Sequence, residues 1–261
     1  MNRRLLKITI LSSASIALVC ALVLGTPTLN TWITLATTRK ANAVNYSVAN
    51  VFAAAHQVWG HASSTTFLTV PFLKQKYSLS CEIASLRMAL AYKGKVIDED
   101  YLIGLLPFDT VDPIFIDSSA GKRVWGDPYK GFVGIINGKM PVTGYGVYDK
   151  PIYDIAKLYG EAELLENATL RDVINEVLLG NPIVVWGSLT DGKDISWVTP
   201  EGKEIKAIAG EHARVLVGFY GDPEKPTEIL LIDPVYGHIR MPTEKFLKDW
   251  SLLGNMGVVI R

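Results

Sequence analysis

The segment VPFLKQKYSLSCEIASLRMALAY, residues 70–92, decides how the rest of the chain can be interpreted. Its second half begins at Cys81, carries apolar side chains at helical spacing and runs into Gly94, a residue type that often ends helices. We therefore predict a helix over residues 81–93 that has Cys81 in its first turn.

Cys81 is a candidate nucleophile because of this position. Amide groups at a helix start carry partial positive charge, which favours the reactive thiolate, whereas the carboxylate of Glu82 opposes it. We expect Ser78 or Ser80 to cap the helix. Gln75 stands six residues before Cys81, close enough for its amide group to stabilise an oxyanion that forms during attack on a carbonyl.

A base for this thiol is predicted from two strand-like stretches near the C-terminal end. HARVLVGFY begins with His212, and EILLID ends with Asp233. If the two strands pair as an antiparallel hairpin, His212 and Asp233 become neighbours, and a carboxylate can then orient an imidazole that activates a thiol. His238 is the alternative base, but it follows a Tyr-Gly turn, so we favour His212.

Four stretches together resemble the double-glycine, or bacteriocin-processing, peptidase group. They are VPFLKQKYSLSCEIASLRMALAY, WGDPYKGFVG with GYGVY, GEHARVLVGFYG, and LLIDPVYG. The resemblance covers roughly residues 67–260 and implies a papain-like cysteine peptidase of a stand-alone type, since no transporter segments or nucleotide-binding motif are present. It implies that Cys81 is the nucleophile, His212 the general base and acid, Asp233 the orienting residue and Gln75 the oxyanion-hole donor.

The order of the predicted elements, helices first and antiparallel strands last, indicates an α+β fold. With the resemblance, we expect a papain-like cysteine peptidase fold whose N-terminal helical part packs on an antiparallel β-sheet. Further helices are predicted near residues 98–106, 154–159, 169–179 and 243–250. Strands are predicted at residues 66–73, 183–186, 212–220, 228–233, 238–241 and 257–261.

The N-terminal part differs from the rest of the chain in charge. The first 81 residues carry seven basic side chains and no acidic one, and taking these seven from the 26 Lys and Arg leaves 19 basic against 26 acidic side chains, a net charge of −7 downstream. Nucleic-acid binding needs a clustered positive surface, so this acidic body argues against it.

An uncharged apolar run, residues 8–25, follows Arg3, Arg4 and Lys7. Its 18 residues nearly cross a hydrocarbon core of about 30 Å, and positive charge before it places the remainder outside the cell. We predict a retained membrane anchor with an extracellular catalytic domain. Cleavage after Gly25 or after residues 41–43 would instead yield a secreted protein.

Three regions are predicted from this organisation: an anchor or signal segment with linker at 1–43, a membrane-proximal amphipathic helix at 44–64, and the peptidase-like domain at 65–261. His56 and His61 are five residues apart, which does not suit the i, i+4 pair of a zinc helix. Cys20 lies in the apolar run and is expected to be a passive apolar residue. We expect no metal, no cofactor and a monomer.

Residues 125–148 form an unusual stretch that is rich in glycine and aromatic residues. A long segment without clear periodicity inside a compact domain is often a functional loop. We therefore interpret its aromatic side chains as candidate substrate-binding groups. They are Trp125, Tyr129, Phe132 and Tyr145.

Three functions remain open from the sequence. The first is hydrolysis of peptide or amide bonds through a thioester acyl-enzyme, with a peptide or protein as substrate. The second uses the same residues with an amine as acceptor, which makes the chain a transpeptidase or acyltransferase of the cell envelope. The third is a catalytically silent peptide-binding domain of the same fold.

Overall fold

The central element of the structure is an antiparallel pair of long strands, which we number here in chain order as β10 (Glu211–Asp222) and β11 (Lys225–Asp233). This computed structural model describes residues 65–112, 114–117 and 122–261. The predicted anchor, the amphipathic helix, Cys20, His56 and His61 all lie outside the described residues.

The main sheet is antiparallel and has seven strands in the order β12-β11-β10-β7-β13-β6, with β1 paired to β10. Continuous buried runs in the central strands β7 and β10 give the sheet two buried faces, because successive side chains point to opposite sides. Besides β10 and β11, its strands are β1 (Thr65–Phe67), β6 (Ala162–Leu165), β7 (Ile183–Ser188), β12 (Gly237–Pro242) and β13 (Gly257–Ile260).

Helix α1 (Cys81–Tyr92) packs into the larger of the two hydrophobic clusters, on one face of the sheet. Val184, Trp186 and Val215 point from the sheet into this cluster, whereas their neighbours Val185 and Leu216 point into the other one. Nine of the twelve helix residues are buried, Cys81 and Glu82 among them. The predicted helix is therefore confirmed, with its start buried against the sheet.

Four further helices complete the described fold, and each was expected from the sequence. The helix over residues 169–179 ends as predicted and begins with a capping box formed by Thr169 and Asp172. The helix near residues 154–159 starts earlier than predicted, at Asp149. The observed helices are α2 (Glu99–Leu105), α3 (Asp149–Ala156), α4 (Leu170–Leu178) and α5 (Thr243–Ser251).

Two smaller sheets were not predicted, because strands of two to four residues give almost no periodic signal. One contains two strands, β2 (Phe108–Asp109) and β5 (Phe132–Val133). The other contains β3 (Ile114–Asp117), β4 (Lys122–Val124), β8 (Trp197–Val198) and β9 (Glu204–Ile205).

The α+β arrangement with an antiparallel sheet agrees with the prediction. None of the helices in the described part of the chain has the length and apolar character needed to cross a membrane.

Candidate active site

Cys81 is the first residue of α1, and only 5% of its surface is exposed. Its thiol donates a hydrogen bond to Oε2 of Glu82, 3.3 Å from Sγ, and accepts one from the backbone amide of Ala213 at 3.5 Å. Among the residues that the structure describes, the thiol makes no hydrogen bond to the ring of His212. In this arrangement Cys81 lies against the strand that carries His212, but its hydrogen goes to Glu82.

The loop before α1 is fixed by the buried carboxylate of Glu99. Its Oε1 accepts hydrogen bonds from the backbone amide of Lys76 at 2.9 Å and from the hydroxyl of Ser80 at 2.7 Å. The hydroxyl of Ser78 donates to the carbonyl of Gly138. The predicted serine cap is wrong, since neither hydroxyl caps the helix: Ser80 stands at the N-cap position, but its oxygen accepts from the backbone amide of Tyr77 at 3.2 Å and from no amide of the first helical turn.

His212 and Asp233 lie together where β10 begins and β11 ends, as expected for an antiparallel hairpin. Nε2 of His212 is 2.9 Å from Oδ2 of Asp233, and both side chains are buried. Since the carboxylate binds Nε2, Nδ1 is the ring nitrogen left to exchange a proton with a reacting group. His238, the alternative base, is exposed on β12 and pairs with Ile232.

A buried guanidinium group binds the same oxygen of Asp233 as the ring of His212. Nε of Arg214 is 3.0 Å from Oδ2 of Asp233, and its terminal nitrogens reach Oδ2 of Asp249 and the carbonyl of Ser188, both at 3.1 Å. One donor of the guanidinium group thus helps to hold Asp233, and Oδ2 of Asp233 in turn holds the ring of His212.

Asp233 is held as a carboxylate. Burial alone would raise the pKa of Asp233, but the hydrogen bond and charge of His212 lower it, and the amides of Val235 and Tyr236 contribute at 2.8 and 3.1 Å from Oδ1. The result is a pKa of about 2. The orienting group is therefore ionised throughout the neutral range.

Burial dominates the protonation of the other two groups. It lowers the pKa of His212 below its usual value, even though Asp233 favours the charged form. Burial raises the pKa of the Cys81 thiol well above its usual value, and the negative charges of Glu82 and Glu211 raise it further. The resting pair is thus a neutral thiol and a neutral imidazole, whereas the sequence suggested that the helix start favours a thiolate.

The lysines before Cys81 do not offset this negative charge. Lys76 binds Asp98 and Asp100 at the surface, each at 2.9 Å, and Lys74 is exposed. These lysines therefore do not help the helix start to lower the pKa of the Cys81 thiol, which burial and two carboxyl groups raise.

Gln75 lies in the turn before α1, tied through its backbone amide to the carbonyl of Pro234 at 3.0 Å. Its side-chain Nε2 donates to the carbonyls of Tyr77 at 2.7 Å and Ser78 at 3.2 Å, while Oε1 is buried without a partner. The structure thus brings Gln75 to the end of the strand that carries Asp233, and both amide hydrogens are used within its own turn.

Three of the four predicted substrate-binding aromatics are core residues. Trp125, Phe132 and Tyr145 are fully buried, so no substrate can lie against them, and only Tyr129 is partly exposed, at 38%. The prediction was wrong because glycine allows this segment to fold tightly onto the body. A side chain at Gly144, for example, would place its Cβ only 2.5 Å from the carbonyl oxygen of Ile135.

Arg214 and Glu211 were not predicted from the sequence. Both are buried, at 5% and 3% exposure, in the first, largely apolar part of β10. A charge inside a buried strand is rare without a specific partner, so this pattern is the signal that could have identified them. Glu211 also approaches Cys81 and Glu82: one potential ligand atom of each residue lies within 4.8 Å of those of the others.

Comparison with known proteins identifies the family. The model of the Peptidase_C39 like family matches residues 67–258. An uncharacterized protein of Bacillus subtilis (strain 168), YvpB, is 32% identical over 189 residues, which cover 69% of this chain and 68% of that protein.

Solved structures show the same likeness. A crystal structure from Bacillus anthracis, proposed to be a C39-like peptidase, matches with a TM-score of 0.63 and 27% identity, over 76% of this chain and 98% of that chain. The peptidase-like fold predicted from the four stretches is confirmed. The chain belongs to the Peptidase_C39 like family.

Proposed function

We propose that the chain is a membrane-anchored, outward-facing cysteine peptidase that hydrolyses peptide or amide bonds through a thioester acyl-enzyme. The observation that carries this proposal is the buried contact of His212 with Asp233 at 2.9 Å, on the strand against which the Cys81 thiol packs at Ala213. Membership of a peptidase family supports the same conclusion.

Attack begins from a neutral pair of groups. Because the resting thiol is protonated and the pKa of His212 is lowered, the imidazole acts as a general base during attack. The thiol must turn from Glu82 toward Nδ1 of His212 when a substrate carbonyl is bound. Sγ then bonds to the carbonyl carbon, its proton passes to Nδ1, and Asp233 stabilises the imidazolium that results.

The developing oxyanion needs hydrogen-bond donors next to Sγ. The backbone amide of Cys81 belongs to the first turn of α1, where amides have no partner within the helix. The side-chain amide of Gln75 is the second donor, and it must give up the longer of its two bonds, the 3.2 Å contact with the Ser78 carbonyl. Donors of this kind contribute about 3–4 kcal/mol each to transition-state stabilisation.

Collapse of the tetrahedral intermediate breaks the carbon–nitrogen bond. The imidazolium of His212 gives its proton to the leaving amine, and the acyl group stays on Sγ as a thioester. Water then attacks the thioester with His212 as the base again, and the acid product and free thiol are released.

The test uses the detergent-solubilised full chain and a proteome-derived peptide library, with mass spectrometry of new peptide termini. Wild type should generate termini that Cys81→Ala and His212→Ala do not, while Cys20→Ala serves as the matched control and should behave as wild type. Identical termini from wild type and Cys81→Ala would overturn the proposal, as would the absence of any new termini.

One observation favours a catalytically silent peptide-binding domain as the second candidate: the Cys81 hydrogen goes to Glu82 and not to His212. Such a domain would retain library peptides equally well in wild type and Cys81→Ala and cleave none. The amine-acceptor reading is distinguished in the same experiment by adding glycine amide, since a transpeptidase would attach it to the new C-termini.

The proposed location rests on the sequence of the first 43 residues. Basic side chains before the apolar run place the N-terminal end in the cytoplasm and the body outside. Trypsin added to intact cells should therefore digest the domain, as it digests other proteins on the cell surface. Protection of the domain until the cells are lysed would contradict an outward orientation, and recovery of the domain from the medium would indicate cleavage.

A further inference from the structure

Two carboxyl groups that the proposed chemistry does not use lie beside the nucleophile. Glu82 and Glu211 are buried, at 0% and 3% exposure, next to a thiol that is 5% exposed. Sγ of Cys81 lies 3.3 Å from Oε2 of Glu82, and one oxygen of Glu211 lies within 4.8 Å of the ligand atoms of both. The start of α1 and the start of β10 thus bring three potential ligands to one point.

Among the residues that the structure describes, none forms a hydrogen bond with the carboxyl group of Glu211. Both of its side-chain oxygens are buried and make no hydrogen bond. Three other buried carboxylates in the described part of the chain are each paired with a cation: Glu99 with Arg87, Asp127 with Lys203, and Asp233 with Arg214. An isolated buried carboxylate is costly unless it is protonated or binds a cation.

The backbone at Gly146 shows that the two carboxyl groups converge. A Cβ atom on this residue would lie 2.5 Å from Oε1 of Glu82 and 2.7 Å from Oε2 of Glu211. The backbone amide of Val147 donates to Oε1 of Glu82 at 2.7 Å and fixes that carboxyl group. Glycine at position 146 therefore lets two acidic side chains face the same space.

We propose that Cys81, Glu82 and Glu211 form a site for one Zn²⁺ ion, which inhibits the enzyme reversibly by occupying the nucleophilic sulfur. A thiolate with two carboxylates suits zinc better than calcium or magnesium, which take oxygen ligands alone. The inhibition rests on the proposed function, whereas the binding of zinc does not. This site departs from the sequence-based expectation of no metal.

The geometry and charge suit a small dication. With Zn–S near 2.3 Å and Zn–O near 2.1 Å, a tetrahedral site separates sulfur and oxygen by about 3.6 Å, close to the 3.3 Å between Cys81 Sγ and Glu82 Oε2. Glu211 lies within 4.8 Å of the other two ligand atoms, so it needs to move by at most about 1.2 Å to reach the same separation. The ion bonds to sulfur and two oxygens, the thiol proton and any carboxyl proton leave to solvent, and no electron is transferred.

The test measures Zn²⁺ affinity of the detergent-solubilised full chain by competition with a chromophoric chelator. Wild type should bind one Zn²⁺ ion that Cys81→Ser does not bind. Glu211→Gln should lower the affinity for this ion at least tenfold. Glu244→Gln, on the exposed side of α5, is the matched control and should leave the affinity unchanged. With Co²⁺ as the probe, a thiolate-to-metal absorption band should appear in wild type and be absent in Cys81→Ser.

The variant His212→Ala distinguishes the proposed site from an alternative site in which Cys81 and His212 bind the zinc ion. The proposed site keeps its zinc in His212→Ala and loses affinity in Glu211→Gln. The reverse pattern, or equal affinity of wild type and Glu211→Gln, would overturn the proposal. Circular dichroism of Glu211→Gln shows whether this variant is folded. If it is not folded, Glu82→Gln replaces it as the test: its thiolate-to-Co²⁺ absorption band should be weaker than that of wild type, and a band of equal strength would overturn the proposal. Zinc binding at the site without peptide turnover would overturn the proposed function alone.

Discussion

Nε of Arg214 lies 3.0 Å from Oδ2 of Asp233, the same oxygen that binds the imidazole of His212. One carboxylate oxygen therefore binds both a cation and a neutral ring. Because Arg214 also binds Asp249, the position of Asp233 depends on a buried network and not on the hairpin alone. Removal of Arg214 should consequently affect both folding and the orientation of His212.

Arg214→Met tests this network. The change leaves the buried Asp233 and the partly buried Asp249 without their cation, and breaking a buried pair in this way costs about 3–5 kcal/mol. Arg240→Met is the matched control, since the Arg240 pair with Glu228 is largely exposed and such pairs contribute about 0–1 kcal/mol. The free energy of unfolding should be measured in urea. Equal losses in the two variants would show that the network does not stabilise the fold.

The pKa of Asp233 predicts how stability changes in acid. It is lowered from its usual value to about 2 in the folded chain, so its contribution to stability is fully present above the unfolded pKa of about 3.9 and is lost as pH falls through about 2. Asp233→Asn should therefore be less stable than wild type at pH 6, and the difference should shrink between pH 4 and pH 2. A constant difference over this range would show that Asp233 is not ionised preferentially in the folded state.

The raised pKa of Cys81 predicts a slow resting thiol. Burial and the two neighbouring carboxyl groups keep Sγ protonated at neutral pH, and each unit of pKa lowers the thiolate fraction about tenfold. Iodoacetamide should therefore label the Cys81 peptide at least tenfold more slowly than free cysteine at pH 7, as followed by mass spectrometry. Labelling faster than free cysteine would show a thiolate that is already formed at rest.

Much of the candidate site could be predicted from the sequence because it depends on local pattern. The position of Cys81 was predicted from the start of a helix, and the contact between His212 and Asp233 was predicted from one antiparallel hairpin. The long strands and helices could be predicted as well, because their apolar side chains recur with a clear period. The serine cap failed because the hydroxyl of Ser80 is held by Glu99, a residue 19 positions away, and its oxygen accepts from the amide of Tyr77 instead of an amide of the helix. A single sequence carries no signal for the contact with Glu99.

The stretch rich in glycine and aromatic residues, residues 125–148, shows a different limit of prediction from sequence. Glycine-rich segments are typical of functional loops, but glycine also permits close packing, and nothing in the local pattern separates the two cases. Trp125, Phe132 and Tyr145 are buried because this segment folds back over the site. The same packing brings Gly146 against the carboxyl groups of Glu82 and Glu211, so the segment contributes to the site through its backbone.

Gly146→Ala tests this backbone contact. Its φ of +148° already disfavours any other residue, and a Cβ would lie 2.5 Å from Oε1 of Glu82, so the Val147 contact with Glu82 must shift. We expect a loss of about 2–3 kcal/mol in the free energy of unfolding, in the range typical of overpacked cores, together with faster alkylation of Cys81 as the segment moves away.

Gly104→Ala is the matched control for this change. Gly104 is exposed in α2, and a Cβ there would meet nothing within 4 Å. Alanine at a helix position should stabilise the chain by about 0.5–1 kcal/mol relative to glycine and leave the alkylation rate of Cys81 unchanged. If Gly146→Ala also proved neutral or stabilising, residue 146 could not be in close contact with the two carboxyl groups, and their convergence beside Cys81 would be wrong.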